Sequence, residues 1–409
     1  MPHPPFRAEH IGSLLRPAGL LDMRRRFARG EVDHEALASA EDRAIEDAVR
    51  LQERLGLRLA TDGEFRRRSY HSYFYGCLGD IAPDAVSEDA GAAGSGRAAP
   101  AGPVDPAGPV DPAGRVDPAE PVAPAGPVDP AGRVAPAGRV AQPKAVVGSK
   151  LRWTRAIHGA DFAFLSARTR ALPKLTIPGP CAVHFRGGDA AVTQSAYDDV
   201  DEFWDDTVTA FRQELAALAA LGASYVQIDE TAFAKFGDPE VQATLNARGD
   251  DPARLIDTYI EVTNRVLAGA PAGLHIGMHL CRGNRGGHWH AEGSYEAVAD
   301  KLFNRLAIRF FFLEYDSPRA GDFAPLRFVP AEKSIVLGLV STKTPVLEEK
   351  DQLKRRIEEA SRHVAVERLA ISPQCGFASS EKGNPLNPDA QEAKLRLVVE
   401  TAHEVWGTA

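Results

Sequence analysis

The sequence predicts an α/β fold, a closed (β/α)8 barrel interrupted by one low-complexity insert, and three observations carry that reading. A helix-to-strand unit repeats along the chain, each strand in it is a nearly continuous apolar run, and each run ends in residues able to do chemistry. Arg7–Ser13 reads as the first strand. Asp33 then caps a helix in which Leu37, Ala40, Ala44, Ala48, Leu51 and Leu55 recur at spacings of three and four, and Gly56 stops it. Leu57–Ala60 follows as a strand ending in Thr61-Asp62-Gly63-Glu64, and Lys174–Ile177 is the next strand. Val200, Phe203, Thr207, Phe211, Leu215 and Leu218 mark a second amphipathic helix, stopped by Gly222 and followed by the strand Ala223–Ile228 and then Asp229-Glu230. Leu274–Leu280 is a further strand. Tyr295–Leu306 leads as a helix into Ile308–Leu313 and Glu314-Tyr315-Asp316. Ser334–Val340 is a strand, and the helix Ile357–Val364 leads into Leu369–Ile371 and Ser372-Pro373-Gln374-Cys375-Gly376. Eight such units point to a barrel with its site at the C-terminal strand ends. An open doubly wound sheet is the competitor, but no glycine fingerprint for a dinucleotide or phosphate follows any of the strands.

Composition narrows the classes of function. Four cysteines in 409 residues are too few for a disulfide scaffold, no apolar run is long enough to span a bilayer, and MPHPPFRAEH lacks the apolar core of a signal peptide. A reducing, cytoplasmic location is expected. A formal charge of −8 argues against nucleic acid or an anionic membrane as partner. Residues 100–141 form seven consecutive hexads holding eleven of the thirty prolines. One Val per hexad cannot offset the ordering entropy, and Pro at this density breaks a β-helix ladder. The expected organisation is one barrel from residues 1–83 and 143–409, with 84–142 a disordered or polyproline-like insert.

The strand Leu274–Leu280 runs into His279-Leu280-Cys281. Residues i and i+2 of a strand face the same way, so an imidazole and a thiolate project together from one strand end. Glu314 ends the next strand and Cys375 the last. One nitrogen, two sulfurs and one oxygen make a donor set suited to Zn²⁺. On spacing alone the alternative stays open: two buried apolar thiols, a solvated Glu314 and a core His279. Cys77 and Cys181 have no comparable neighbours and read as ordinary residues. His288 and His290 are a second ligand pair in a Gly-rich loop, and Arg24–Arg26 and Arg66–Arg68 read as solvated helix faces, the second run being alternatively placed to meet an acidic substrate tail.

The motifs His10-Ile11-Gly12-Ser13, Asp62-Gly63-Glu64, Gln227-Ile228-Asp229-Glu230, His279-Leu280-Cys281, Leu313-Glu314-Tyr315-Asp316 and Ser372-Pro373-Gln374-Cys375-Gly376-Phe377 occur in order. Together they resemble the catalytic C-terminal domain of cobalamin-independent methionine synthase, and in particular its short single-barrel bacterial relatives. The resemblance covers the chain apart from the hexads. It implies a TIM-type barrel holding zinc through His279, Cys281, Glu314 and Cys375. It also implies that homocysteine is held by Ile11, Gly12, Ser13, Glu64 and Asp229. Coordination to zinc deprotonates a thiol that is otherwise a poor nucleophile at neutral pH. Glu314 is the most replaceable ligand, and buried Glu64 and Asp229 need a cation, which a substrate ammonium supplies; a salt bridge to Arg66 is the structural alternative.

Three departures bear on the methyl donor. The resemblance does not extend to the N-terminal domain that contributes to methylfolate binding in the full-length enzyme. Pro178-Gly179-Pro180 is followed by His184-Phe185-Arg186, without the Trp that stacks on the pterin. Ser341-Thr342-Lys343-Thr344-Pro345 stands where the family has a proton-donating His, leaving Lys343 as the candidate acid or anion ligand. The leading expectation is a zinc-dependent S-methyltransferase acting on homocysteine or a similar small thiol with a methyl donor. A zinc-dependent thiol alkyltransferase or lyase, like the epoxyalkane–thiol transferases and without folate, is the alternative. A non-catalytic barrel with structural zinc is the third reading.

Overall fold

A computed structural model of the chain describes residues 5–83, 138–140, 142, 144–194 and 196–409. Six strands form one all-parallel sheet: β5 (Leu175–Pro178), β6 (Tyr225–Asp229), β7 (His275–Leu280), β8 (Phe310–Glu314), β9 (Ser334–Val340) and β10 (Leu369–Pro373), hydrogen-bonded in that order. Beyond β5, β4 (Leu172–Pro173) pairs in parallel with β1 (Leu59–Ala60). Beyond β10, the N-terminal segment attaches through an Ala8–Ile371 bridge, Glu9 N–H donating to the Ile371 carbonyl at 2.9 Å and Ile371 N–H to Arg7 at 2.9 Å. The eight expected strand segments are thus each found in a parallel arrangement, although Arg7–Ser13 makes a bridge rather than a regular strand. An unanticipated antiparallel hairpin joins β2 (Ile81–Pro83) to β3 (Ala145–Val147).

Helices cover one face of the sheet. His34–Arg54 starts where the sequence places it, with the Asp33 carboxylate accepting from Ala36 N–H at 2.8 Å. Val200–Ala220 is capped by Asp199, while Pro252–Ala268 and Pro388–Trp406 begin with Pro after Asp251 and Asn387, which accept from their first turns. Alternation along the strands explains how the two sheet faces divide. Val226 and Ile228, Ile276, Met278 and Leu280, Phe311 and Leu313, and Ile335, Leu337 and Leu339 point into the core shared with the helices. The intervening residues Tyr225, Phe310, Phe312, Val336 and Ala370 form a second, small core with Ile11 on the opposite face. Gly277 belongs to that inner row, and a Cβ there would lie 2.2 Å from the Phe310 ring. The inner rows of β6, β7 and β8 end in Asp229, in His279 and then Cys281, and in Glu314, so strand parity gathers these side chains on one side.

The hexad insert lies outside the described residues apart from 138–140 and 142. Those four, which the sequence places inside the insert, are bonded to the folded chain: Val140 N–H donates to Trp289 O at 2.9 Å, and Arg139 pairs with Asp238 and Glu240 at 3.0 and 2.9 Å.

Candidate metal centre and thiol pocket

His279, Cys281 and Cys375 come together with their ligand atoms all within 4.8 Å of one another, and all three are buried. Strands β7 and β10 are separated by β8 and β9, a distance of roughly 14 Å across a flat sheet. The Cys281 and Cys375 sulfurs nevertheless lie 3.9 Å apart, so the sheet curves strongly to bring its strand ends together. That separation is close to the edge of a tetrahedron with metal–sulfur bonds of about 2.3 Å. Both ring nitrogens of His279 are buried without a hydrogen-bond partner, and such an orphaned imidazole beside two thiols is a ligand set fitted to a metal ion.

The thiols behave as a pair. Cys375 donates its S–H to Cys281, which, with the adjacent imidazole, drives Cys281 strongly toward thiolate; the same bond, together with burial, holds the Cys375 proton on. Burial works against a charged His279, but the Cys281 thiolate outweighs it and raises the imidazole pKa.

Glu314 ends β8 on the same side but is not within that 4.8 Å group. Its Oε1 accepts from Arg319 Nη2 at 2.6 Å and Lys343 Nζ at 3.1 Å, and its Oε2 from Arg282 N–H at 2.6 Å. Burial alone would raise its pKa, yet Lys343, Arg282 and Arg319 hold it well below the usual carboxylate range. Lys343 is buried, at 3% exposure, rather than an exposed loop lysine. Asp316 and Glu314 raise its pKa against the effect of burial, so it acts as a fixed cation beside the sulfurs.

The second group of predicted residues converges next to this cluster. Glu64 has a left-handed backbone, φ 60°, and it is the non-glycine residue so described. That conformation is held by Glu64 N–H donating to Asp62 Oδ1 at 2.9 Å and by Arg16 Nη2 donating to Glu64 O at 2.9 Å. The Glu64 Oε1 accepts from Thr176 Oγ1 at 2.8 Å, while its Oε2 is buried without a partner. Asp229 accepts from Gln227 Nε2 at 2.6 Å, and the same amide donates to Ile11 O at 2.8 Å. Burial, reinforced by Glu64, pushes the Asp229 carboxyl up to about 7. Gly12, at φ 127°, lies so close to Thr176 that a Cβ would come within 2.5 Å of it. Ser13 abuts Gly376, beside Cys375, where a Cβ would meet Ser13 Oγ at 1.9 Å. The salt-bridge alternative for Glu64 and Asp229 does not form: Arg66 pairs with Asp42 and Asp161 instead. Among the described residues no basic side chain pairs with either carboxylate.

The remaining candidates are sorted by their contacts. Cys181 is buried against Tyr259 O and Thr263, away from the cluster. His288 and His290 contact the carbonyls of Gly138 and Val140 at 2.9 and 3.0 Å. Arg25 and Arg26 are solvated as expected, but Arg24, Arg66 and Arg67 are not: Arg24 pairs with Glu41, and Arg67 donates to Thr176 O at 2.8 Å. Thr176, Arg319 and Arg282 are parts of the site that sequence reasoning missed. Thr176 carries only the signal of strand parity; Arg319 and Arg282 carry none.

At the C-terminal edge of the parallel sheet the His-Cys-Cys cluster therefore stands beside two buried carboxylates, a donor set that could hold a metal ion. The comparisons with known proteins make the class specific. Residues 185–404 match the family described as cobalamin-independent synthase, catalytic domain. The chain is 36% identical over 404 residues to the uncharacterized protein YxjH of Bacillus subtilis, covering 98% of this chain and 95% of that one. A Listeria monocytogenes structure, provisionally assigned as a vitamin-B12-independent methionine synthase, aligns with a TM-score of 0.66 and 29% identity over 98% of both chains. The B12-independent methionine synthase of Shewanella sp. W3-18-1, solved in complex with selenomethionine, shares the fold with a TM-score of 0.65 at 17% identity, over 98% of this chain and 97% of that one. This chain belongs to the cobalamin-independent synthase catalytic-domain family. Among the described residues no helix is long and apolar enough to cross a membrane.

Proposed function

We propose that this protein is a zinc-dependent S-methyltransferase that activates a small amino-acid thiol, homocysteine or a close relative, for attack on a methyl donor. The observation that carries the reading is the buried His279 ring, unpartnered at both nitrogens, facing two sulfurs 3.9 Å apart. His279, Cys281 and Cys375 would hold the ion, with Glu314 as the fourth, exchangeable donor once its carboxylate turns from Arg319 and Lys343. Zinc bound there supplies the Lewis acidity that deprotonates the substrate thiol, and two thiolate ligands keep that sulfur electron-rich.

The chain's own residues do the rest. Glu64 and Asp229 receive the substrate ammonium, which removes the cost of two buried carboxylates without a cation. Ile11, Gly12 and Ser13 bring backbone against the amino-acid end, and Gly12 and Gly376 permit that approach. Lys343 fixes Glu314 and offers a positive charge beside the sulfurs. A TIM-type barrel is the architecture this reading uses, with the Ala8 segment closing between β10 and β1; the inner core shared by Ile11, Tyr225, Phe310, Val336 and Ala370 supports it. The barrel comprises residues 1–83 and 143–409, with 84–142 as an insertion. Family membership favours methyl transfer over the alkyltransferase or lyase reading.

Metal analysis and turnover test the proposal. Purified protein should carry one zinc per chain and convert homocysteine to methionine with a methyl donor, and Glu64→Gln should abolish turnover without releasing zinc. Absence of zinc from the wild-type protein, or no methylation with either methyltetrahydropteroylglutamates or methylcobalamin, defeats it.

A further inference from the structure

Thr176 on β5 and Gln227 on β6 are paired in register, and both are buried. Their strand neighbours Leu175, Ile177, Val226 and Ile228 point to the helices, so strand parity turns Thr176 and Gln227 inward. Each donates to one carboxylate of the pocket: Thr176 Oγ1 to Glu64 Oε1 at 2.8 Å, and Gln227 Nε2 to Asp229 Oδ1 at 2.6 Å. Both donors are neutral, which sets these carboxylates apart from Glu314, whose partners include Lys343 and Arg319. A neutral donor fixes the direction of a carboxylate and leaves its charge uncompensated.

The direction of the Thr176 bond follows from its other partner. Arg67 Nη1 lies 3.1 Å from Thr176 Oγ1 and 2.8 Å from Thr176 O, and a guanidinium can only donate. The hydroxyl therefore accepts from Arg67 and has its single proton left for Glu64. Glu64 Oε1 is thereby held as an acceptor, and Oε2, buried and without a partner, is the oxygen left open. Packing ties this arrangement to the sulfur side of the site. A Cβ on Gly12 would lie 2.5 Å from Thr176 Cγ2 and 3.3 Å from Glu64 Oε1, and the next residue, Ser13, abuts Gly376 beside Cys375. Gln227 Nε2 reaches the same segment through Ile11 O at 2.8 Å.

We propose that Thr176 and Gln227 are positioning residues that set the preference of the pocket for a thiol carrying an ammonium group. They aim Glu64 and Asp229 without neutralising them, so the open Glu64 Oε2 and the Asp229 carboxylate meet an N⁺–H donor. Arg67 acts through Thr176 and braces it. The inference rests on the assignment of these two carboxylates to the substrate ammonium in the proposed function. A thiol without an amino group gains nothing from the arrangement and leaves two buried carboxylates without a cation.

Calorimetric titration of the zinc-loaded full chain with homocysteine, and separately with γ-mercaptobutyrate, which is homocysteine without its amino group, measures the preference. Wild type should bind homocysteine the more tightly. Thr176→Val keeps the shape of the side chain and removes the donor, so homocysteine binding should weaken about tenfold while γ-mercaptobutyrate binding stays within about twofold. Gln227→Met should shift the preference in the same direction, and Thr176→Ser, which keeps the hydroxyl, should stay close to wild type. Thermal melts check folding, and the two Thr176 variants decide the outcome if Gln227→Met does not fold. Equal loss of both thiols in Thr176→Val marks a structural role only and overturns the inference. So does an unchanged preference, or a wild type that binds neither thiol or ignores the amino group. A Thr176-dependent preference in a protein that transfers no methyl group removes the methyltransferase reading alone. Methylation of homocysteine with an affinity indifferent to Thr176 removes the inference alone.

Discussion

Replacing Cys375 by Ser tests the metal centre most directly, because the change is nearly isosteric and removes one sulfur from a group of three ligands. Structural zinc sites bind with about 10–16 kcal/mol over four ligands, so one ligand is worth roughly 3–4 kcal/mol, or a 10²–10³-fold change in affinity. Glu314→Gln is the matched comparison. Its carboxylate is bonded to Arg319, Lys343 and Arg282 N–H and lies outside the three-residue cluster, so zinc affinity should fall by about tenfold or less. Metal-free wild type and both variants, titrated with zinc against a chromophoric chelator at pH 7, give the three affinities, and circular dichroism checks the fold. Equal losses in the two variants, or none in Cys375→Ser, would refute the assignment of the sulfurs as the core of the site.

The other predictions concern the framework. Lys235→Met should stabilise the protein at pH 7, by at most roughly 3 kcal/mol, because burial brings the folded-state pKa down to about 8 from the ordinary lysine value of 10.5. The unfolded chain binds more protons between those values, so wild-type stability from Lys235 rises as pH climbs from about 8 to 10.5, and the variant should lack that slope in urea titrations. Gly12→Ala forces a side chain into φ 127° and within 2.5 Å of Thr176, and should lower Tm and weaken homocysteine binding together. Gly376→Ala meets Ser13 Oγ at 1.9 Å and should displace the Cys375 loop, seen as weaker zinc binding with little change in helix content.

Much of the fold was legible because strand parity and helical period are local properties. His279 and Cys281 are two residues apart on one strand, and no tertiary information is needed to put them on one face. Asp229 and Glu314 follow by the same rule. Cys375 was legible only through its motif, since nothing local to residue 375 says that a sheet four strands wide curves until its sulfur lies beside that of residue 281. The arginine runs were misjudged for a related reason. Arg24 and Arg67 sit in surface-like sequence, yet Arg24 donates to the Arg67 carbonyl in the loop that carries Glu64, and Arg67 donates from that loop to Thr176 O on β5, partners that lie tens of residues or more away.

The sequence by itself determined the order of the βα units, the inward face of each strand and the residue types at the strand ends, because each depends on neighbours within a few positions. Tertiary structure alone decided which of those ends touch. It left His279 without a hydrogen bond, tied Glu314 to three cationic or N–H donors, and set the Gln142 amide oxygen against Lys235. Those outcomes are set by sheet curvature and loop paths, which bring together residues up to 93 positions apart, and no periodicity in the chain records such distances.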